Sequence, residues 1–287
     1  MARLPALVLA LGLAGASLSA CGPDEGNDDL DDPVRKYVAI GDSYTAAPGI
    51  GSTDVDDGCL RSANNYPRLV AAKLELNLSD ASCSGATSDA VEGSQTNGVG
   101  NLEPQISTVD DDTDVITVGI GANDFNLIGR IVVGCPNLAR QDPDGQPCTD
   151  LDALTGANRV ESRLGEVEDH LVGVIDALKQ RAPDAQILVV GYPQIFPATK
   201  GCEDLPFASG DIAFARSFNI GLNAALSSAA KETDVDYVDV FAATEGHDIC
   251  GEEPWIAGPK VDGKGLAYHP YAPEQELIAR LVTDALS

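Results

Sequence analysis

The chain has 287 residues, 44% of them hydrophobic and 22% charged, enough apolar material for a sizeable α/β domain and too much for a disordered chain. Forty-five Asp and Glu against 18 Lys and Arg give a formal net charge of −27, which excludes nucleic acid as a partner and disfavours direct adhesion to anionic lipid. Seven Cys, three His and no Cys-x-x-Cys spacing argue for an exported disulfide protein and against a zinc site.

Arg3 precedes an apolar run, "LPALVLALGLAGASLSA", too short and too weakly flanked for a permanent membrane span, so residues 1–20 read as a signal peptide. Its end, Leu18-Ser19-Ala20-Cys21, resembles the lipobox of bacterial lipoproteins. That resemblance implies lipidation of Cys21 and a membrane-anchored, cell-surface protein; an ordinary small-residue cleavage site would give a secreted one. Residues 21–36 follow as a tether whose like charges, "GPDEGNDDLDDP", keep it extended. The remaining 37–287 form one domain without a long linker or internal repeat.

Strands are expected over 36–41, more weakly over 76–82, and over 114–121, 185–193 and 235–242. Their continuous rather than alternating hydrophobicity fits parallel strands covered on both faces. Helical periodicity lies between them, over 65–76, 157–181, 208–232 and 272–287. In the longest helix Val160, Leu164, Val167, Leu171, Val174, Ile175 and Leu178 step by three and four into one apolar stripe, ended by Pro183 and Asp184. Strand followed by helix, repeated about five times, predicts a doubly wound parallel sheet. The stretches 134–150 and 243–268 exceed a minimal α/β unit and are expected to shape a substrate entrance.

With Cys21 set aside, six Cys remain, for which fifteen pairings exist. Nearest-neighbour pairing, Cys59–Cys83, Cys135–Cys148 and Cys202–Cys250, puts each bridge in a Gly/Asp/Pro-rich stretch and is preferred. The acidic run 110–112 lacks the loop spacing of a calcium site and reads as a solvated cluster, and no cofactor or metal is expected.

Ligands of parallel sheets bind at the carboxyl ends of strands. Three strands end in conspicuous chemistry there: Gly41-Asp42-Ser43, then Gly85 in "CSGATS", then Gly121-Ala122-Asn123-Asp124. A serine hydroxyl becomes a nucleophile only with a base, and its tetrahedral oxyanion needs preorganised donors. Ser43 with its own N–H, the N–H of Gly85 and the Asn123 amide meet that description. Singly, each has a plainer reading as a helix-capping serine, a turn glycine or an Asx turn. Asp42 and Asp124 read as braces of their turns.

In this order, "GDSYT", Gly85, "GAND" and a late His resemble the four blocks of the SGNH, or GDSL, hydrolase superfamily, nearest to its secreted three-disulfide esterase and lipase branch. The resemblance implies a flavodoxin-like α/β/α sandwich with strand order 2-1-3-4-5, Ser43 as nucleophile, Ser43, Gly85 and Asn123 as oxyanion hole, and no cofactor. It assigns the general base to His269, in "GLAYHPYAPEQE", rather than to His247 or to His170, which sits among helical residues. The family's Asp three residues before this His is absent, and Leu266 stands there. Either the main-chain carbonyl of Leu266 orients the imidazole, or Asp262 loops back to it. Trp255 reads equally as an acyl-pocket residue or a core aromatic.

These readings point to a metal-independent hydrolase of carboxylic esters, working as a monomer on a lipid, a short-chain ester or an acetylated glycan. A non-catalytic surface lipoprotein that binds glycan or lipid on the same scaffold is the alternative, as is a carbohydrate acetylesterase of the same superfamily.

Overall fold

The computed structural model describes residues 34–260 and 263–287. The expected signal peptide, Cys21, most of the tether and Asp262 lie outside the described residues. Five parallel strands form the sheet: β1 (Lys36–Gly41), β2 (Asn77–Asp80), β3 (Val115–Gly119), β4 (Gln186–Val190) and β5 (Asp236–Val238), in the spatial order β2-β1-β3-β4-β5. Register is set by pairs such as Tyr37 with Val115 and Val115 with Gln186. β1 spans the 36–41 expected from sequence, and the Nζ of its first residue, Lys36, pairs with Asp112 of the acidic run.

Alternation along each strand explains the unbroken apolar runs, because odd and even residues enter different cores. Val38, Ile40, Ile116, Val118, Ile187 and Val189 face one apolar cluster, shared with α2 (Val160–Arg181) and α3 (Ile212–Glu232). Tyr37, Ala39, Val115, Leu188 and Val190 face the other, shared with α1 (Tyr66–Leu74) and α4 (Ala272–Ala285). The result is a three-layer α/β/α sandwich. All seven residues of the α2 stripe are buried, each contributing roughly 1.5–3 kcal/mol of gross transfer free energy.

Three elements differ from the sequence reading. β2 is a half-exposed edge strand, so one of its faces carries polar residues. β5 stops at Val238 because the Asp239 side chain accepts a hydrogen bond from the Ala242 N–H (2.9 Å) and starts a helical turn, Val240–Ala243. The stretch 134–150 is mainly helical, with Cys135–Ala139 and Pro147–Ala153 joined through Cys135–Cys148. Disulfides Cys59–Cys83 and Cys202–Cys250 tie the remaining loops.

The carboxyl ends of β1 and β3 approach so closely that neither Gly41 nor Gly119 leaves room for a side chain. A methyl group on Gly41 would stand 2.1 Å from Thr45 Oγ1 and 2.8 Å from the Gly119 carbonyl oxygen. The Gln105 side-chain amide holds both peptide groups of Gly41, accepting from its N–H (2.9 Å) and donating to its carbonyl (3.0 Å). Gly41→Ala is therefore expected to lower stability by about 1–3 kcal/mol through overpacking, read as an earlier denaturant midpoint; an unchanged midpoint would contradict this packing.

Candidate active site

Leaving β1, the chain turns at Asp42, and Ser43 opens the one-turn helix Ser43–Ala46. Asp42 is fully buried, its N–H donating to the Gly119 carbonyl (3.0 Å). Its Oδ1 accepts from the Tyr44 N–H (2.8 Å) and its Oδ2 from the Tyr192 hydroxyl (2.6 Å). Burial pushes this carboxyl up to about 7, while the two donated hydrogen bonds pull the other way. Asp42 thus braces the turn by a side-chain route as well as through the backbone.

Tyr192 extends the brace to the third strand end, since its oxygen also accepts from the Ala122 N–H (3.2 Å). Asn123 follows, and its Nδ2 donates to the carbonyl of Ala86 (2.9 Å), the neighbour of Gly85. Gly85 has φ +80°, a left-handed backbone that glycine adopts at no steric cost. Asp124 fastens the same two loops, accepting from the Ser88 N–H at 2.7 Å. The next two residues, Phe125 (φ 53°) and Asn126 (φ 56°), are both left-handed without being glycine, at a cost of roughly 1–3 kcal/mol each. Strain of this kind persists only where surrounding contacts impose it. Arg163 stands 4.5 Å above the Phe125 ring, and His170 lies 5.4 Å from that ring and 3.5 Å from Asp124 Oδ2. His170, read from sequence as a helix residue, also touches the Asn123 loop.

His269 lies between the turn 265–268 and α4. Its backbone N–H donates to the Leu266 carbonyl (3.1 Å), so that carbonyl closes the turn and does not meet the ring. The ring Nδ1 lies 2.8 Å from the Ala267 carbonyl instead. The expectation for Leu266 is thus corrected by one residue, and the cause is Tyr268, whose φ of +60° swings the preceding carbonyl toward the imidazole. A carbonyl only accepts, so Nδ1 carries the proton and Nε2 the lone pair. Burial lowers the pKa of His269, with the Ala267 carbonyl acting in the opposite sense.

Tyr44, next to Ser43, joins the two halves. Its ring stacks on His269 (5.7 Å, 28°) and meets Tyr192 edge-on (5.3 Å), while its hydroxyl donates to the Tyr268 carbonyl (2.7 Å). Behind it, Gln275 of α4 donates to the Tyr44 carbonyl (3.0 Å) and to Glu274 (2.7 Å), and accepts from the Tyr66 N–H (2.7 Å). Burial pushes the Glu274 carboxyl up to about 8. His247 stacks on Trp255 (3.7 Å, 9°), with Nδ1 2.8 Å from the Glu253 carbonyl.

Tyr192 was legible by the strand-end rule, since it follows Gly191 where β4 ends; Gln105 and Gln275 carry no comparable signal. Among the described residues, no group of three or more His, Cys, Asp or Glu is arranged to hold a metal ion. A cavity of about 540 Å³ opens beyond the Asn123 loop, with Phe125, Ile131, Leu138, Leu151 and Phe214 in its wall. Trp255 is not part of that wall.

A family model described as GDSL-like lipase/acylhydrolase matches residues 39–273. Lipase 2 of Streptomyces coelicolor is 34% identical, over 97% of this chain and 92% of its own length, and a lipase of Streptomyces rimosus is 29% identical, over 93% and 89%. Among solved structures, an extracellular lipase from Streptomyces rimosus superposes with a TM-score of 0.72 at 27% identity, over 88% of this chain and all of the other. Phospholipase A1 from Streptomyces albidoflavus NA297 gives 0.71 at 26% identity, over 88% and 99%. The match runs from within β1 to the first turn of α4 and takes in each of the strand ends described above, so the chain belongs to the GDSL-like lipase/acylhydrolase family.

Proposed function

We propose that this chain hydrolyses carboxylic esters through an acyl-enzyme on Ser43, with His269 as general base. Nε2 of His269 takes the Ser43 hydroxyl proton as Oγ attacks the acyl carbon, and the imidazolium then protonates the leaving alcohol. Water repeats the cycle in reverse and releases the acid. The N–H groups of Ser43 and Gly85 and the Asn123 amide hold the oxyanion. Asn123 comes to that task already oriented, because its amide is tied to Ala86 beside Gly85.

The single observation that carries this reading is the state of the imidazole. Nδ1–H is committed to the Ala267 carbonyl, which leaves Nε2 as a base, and the ring rests on Tyr44, the residue after Ser43. The three disulfides support export to an oxidising compartment. Lipidation at Cys21 and a monomeric state belong to the same proposal.

Ser43→Ala is expected to abolish turnover of a soluble aryl ester while leaving the thermal unfolding midpoint in place; turnover near that of the unsubstituted chain would overturn the assignment. The sign of the pH dependence follows from His269. The base works only when neutral, and burial lowers its pKa, so kcat/KM should persist on the acid side to below the ordinary His value of about 6.5 before it falls. A profile whose acid limb is centred above about 7 would contradict a buried, carbonyl-supported base.

A further inference from the structure

Three contacts seat the loop after β3 on α2. A methyl group on Gly121 would stand 2.9 Å from Val167 Cγ1, the Arg163 guanidinium lies over the Phe125 ring, and the His170 ring meets both Phe125 and Asp124. Arg163, Val167 and His170 are spaced by four and three, so one face of the helix carries all three contacts. The loop seated in this way bears Asn123. Asn123 and Asp124 then clasp the loop of Gly85, through the Ala86 carbonyl and the Ser88 N–H respectively.

Asp124 is the link in this chain with an unmet requirement. It is 3% exposed, and its Oδ2 is buried without a hydrogen bond, facing His170 Nδ1 at 3.5 Å. A buried carboxylate oxygen left unsatisfied is costly, so the group able to serve it carries weight. Burial pushes the Asp124 carboxyl above the usual range, with Ser88 and then His170 drawing it back. The carboxylate only accepts, so the ring nitrogen facing it carries the proton whether the imidazole is neutral or charged. Their separation is about half an ångström longer than an ordinary N–H···O bond. Hydrogen bonds around an unliganded site are commonly long and tighten as the transition state forms.

We propose that His170 is a positioning residue for the oxyanion hole: its Nδ1–H closes on Asp124 Oδ2, and Asp124 in turn fixes Asn123 beside it and the Gly85 loop through Ser88. The proposal rests on the ester-hydrolase reading, which gives the oxyanion donors their purpose. His170 acts through Asp124 and not on the reacting atoms. Donors displaced by a fraction of an ångström stabilise the oxyanion less, while the ground-state ester, which carries no such charge, is bound as before. Loss of the contact therefore lowers kcat and leaves KM in place.

Two substitutions in the full chain separate hydrogen bonding from packing. His170→Asn keeps a donor that branches from Cγ as Nδ1 does but loses the ring on Phe125; His170→Phe keeps the ring and loses the donor. With 38% of the His170 side chain exposed, both variants are expected to fold, and all rates are read well below their thermal unfolding midpoints. On a soluble aryl ester, kcat should fall about tenfold or more in His170→Phe and stay within about threefold in His170→Asn, with KM unchanged in both. Exchange of the Ser88 amide, which Asp124 holds, should quicken about tenfold in His170→Phe and stay as it is in His170→Asn. Full kcat in His170→Phe, or equal losses in the two variants, would overturn the proposal. A chain that turns over no ester would sink the ester reading, and exchange at Ser88 would then decide the clasp by itself. An active chain indifferent to His170→Phe would sink the positioning role and leave the ester reading standing.

Discussion

The hydrogen bond from His269 Nδ1–H to the Ala267 carbonyl is the constraint on which the candidate site depends. It fixes the tautomer and leaves the lone pair on Nε2, as a carboxylate would, but supplies a dipole in place of a full negative charge. An imidazolium formed there is stabilised less, in keeping with a His269 pKa lowered by burial. The geometry rests on one left-handed residue, Tyr268. The turn is pinned by backbone bonds of Ala257 to His269 and of Tyr268 to Ala257, and by the Tyr44 hydroxyl on the Tyr268 carbonyl. The residue that follows Ser43 thus holds the turn that presents the imidazole.

Buried polar groups serve Ser43 in a similar way. Asp42 sits at the junction of β1 and β3 with both carboxylate oxygens engaged, and Tyr192 carries its effect to Ala122 and so to Asn123. Such groups are costly to bury unless satisfied, and once satisfied they permit one arrangement only. The two apolar cores on either side of the sheet keep these bonds from water. Packing, hydrogen bonding and chemistry are thereby concentrated at one edge of the sheet, and the strain at Phe125 and Asn126 lies at that edge too.

Much of this was legible in the sequence because it rests on local signals. β-branched runs marked four of the five strands, helical spacing marked the buried stripe of α2, and strand-end glycines located the turns of Ser43 and Asn123. What escaped depends on contacts between distant residues. Gln105 grips Gly41 across 64 positions and Gln275 grips Tyr44 across 231, and neither lies near a motif. The support of His269 was placed on Leu266 instead of Ala267, because spacing counts residues and cannot register a left-handed turn at Tyr268. The helical character of 134–150 was hidden by its Pro, Gly and Asp content, which the Cys135–Cys148 bridge helps to overcome.

The contact of His269 Nδ1 with the Ala267 carbonyl, where the family has a carboxylate, leads us to propose that this carbonyl orients the base. Asp262 is the one acidic residue that the sequence offers for that role. Steady-state kinetics of Asp262→Asn on a soluble aryl ester test the claim most directly. The account predicts kcat/KM within a few-fold of the unsubstituted chain; a loss approaching the ~10⁴-fold that follows removal of the supporting carboxylate from a serine protease triad would contradict it.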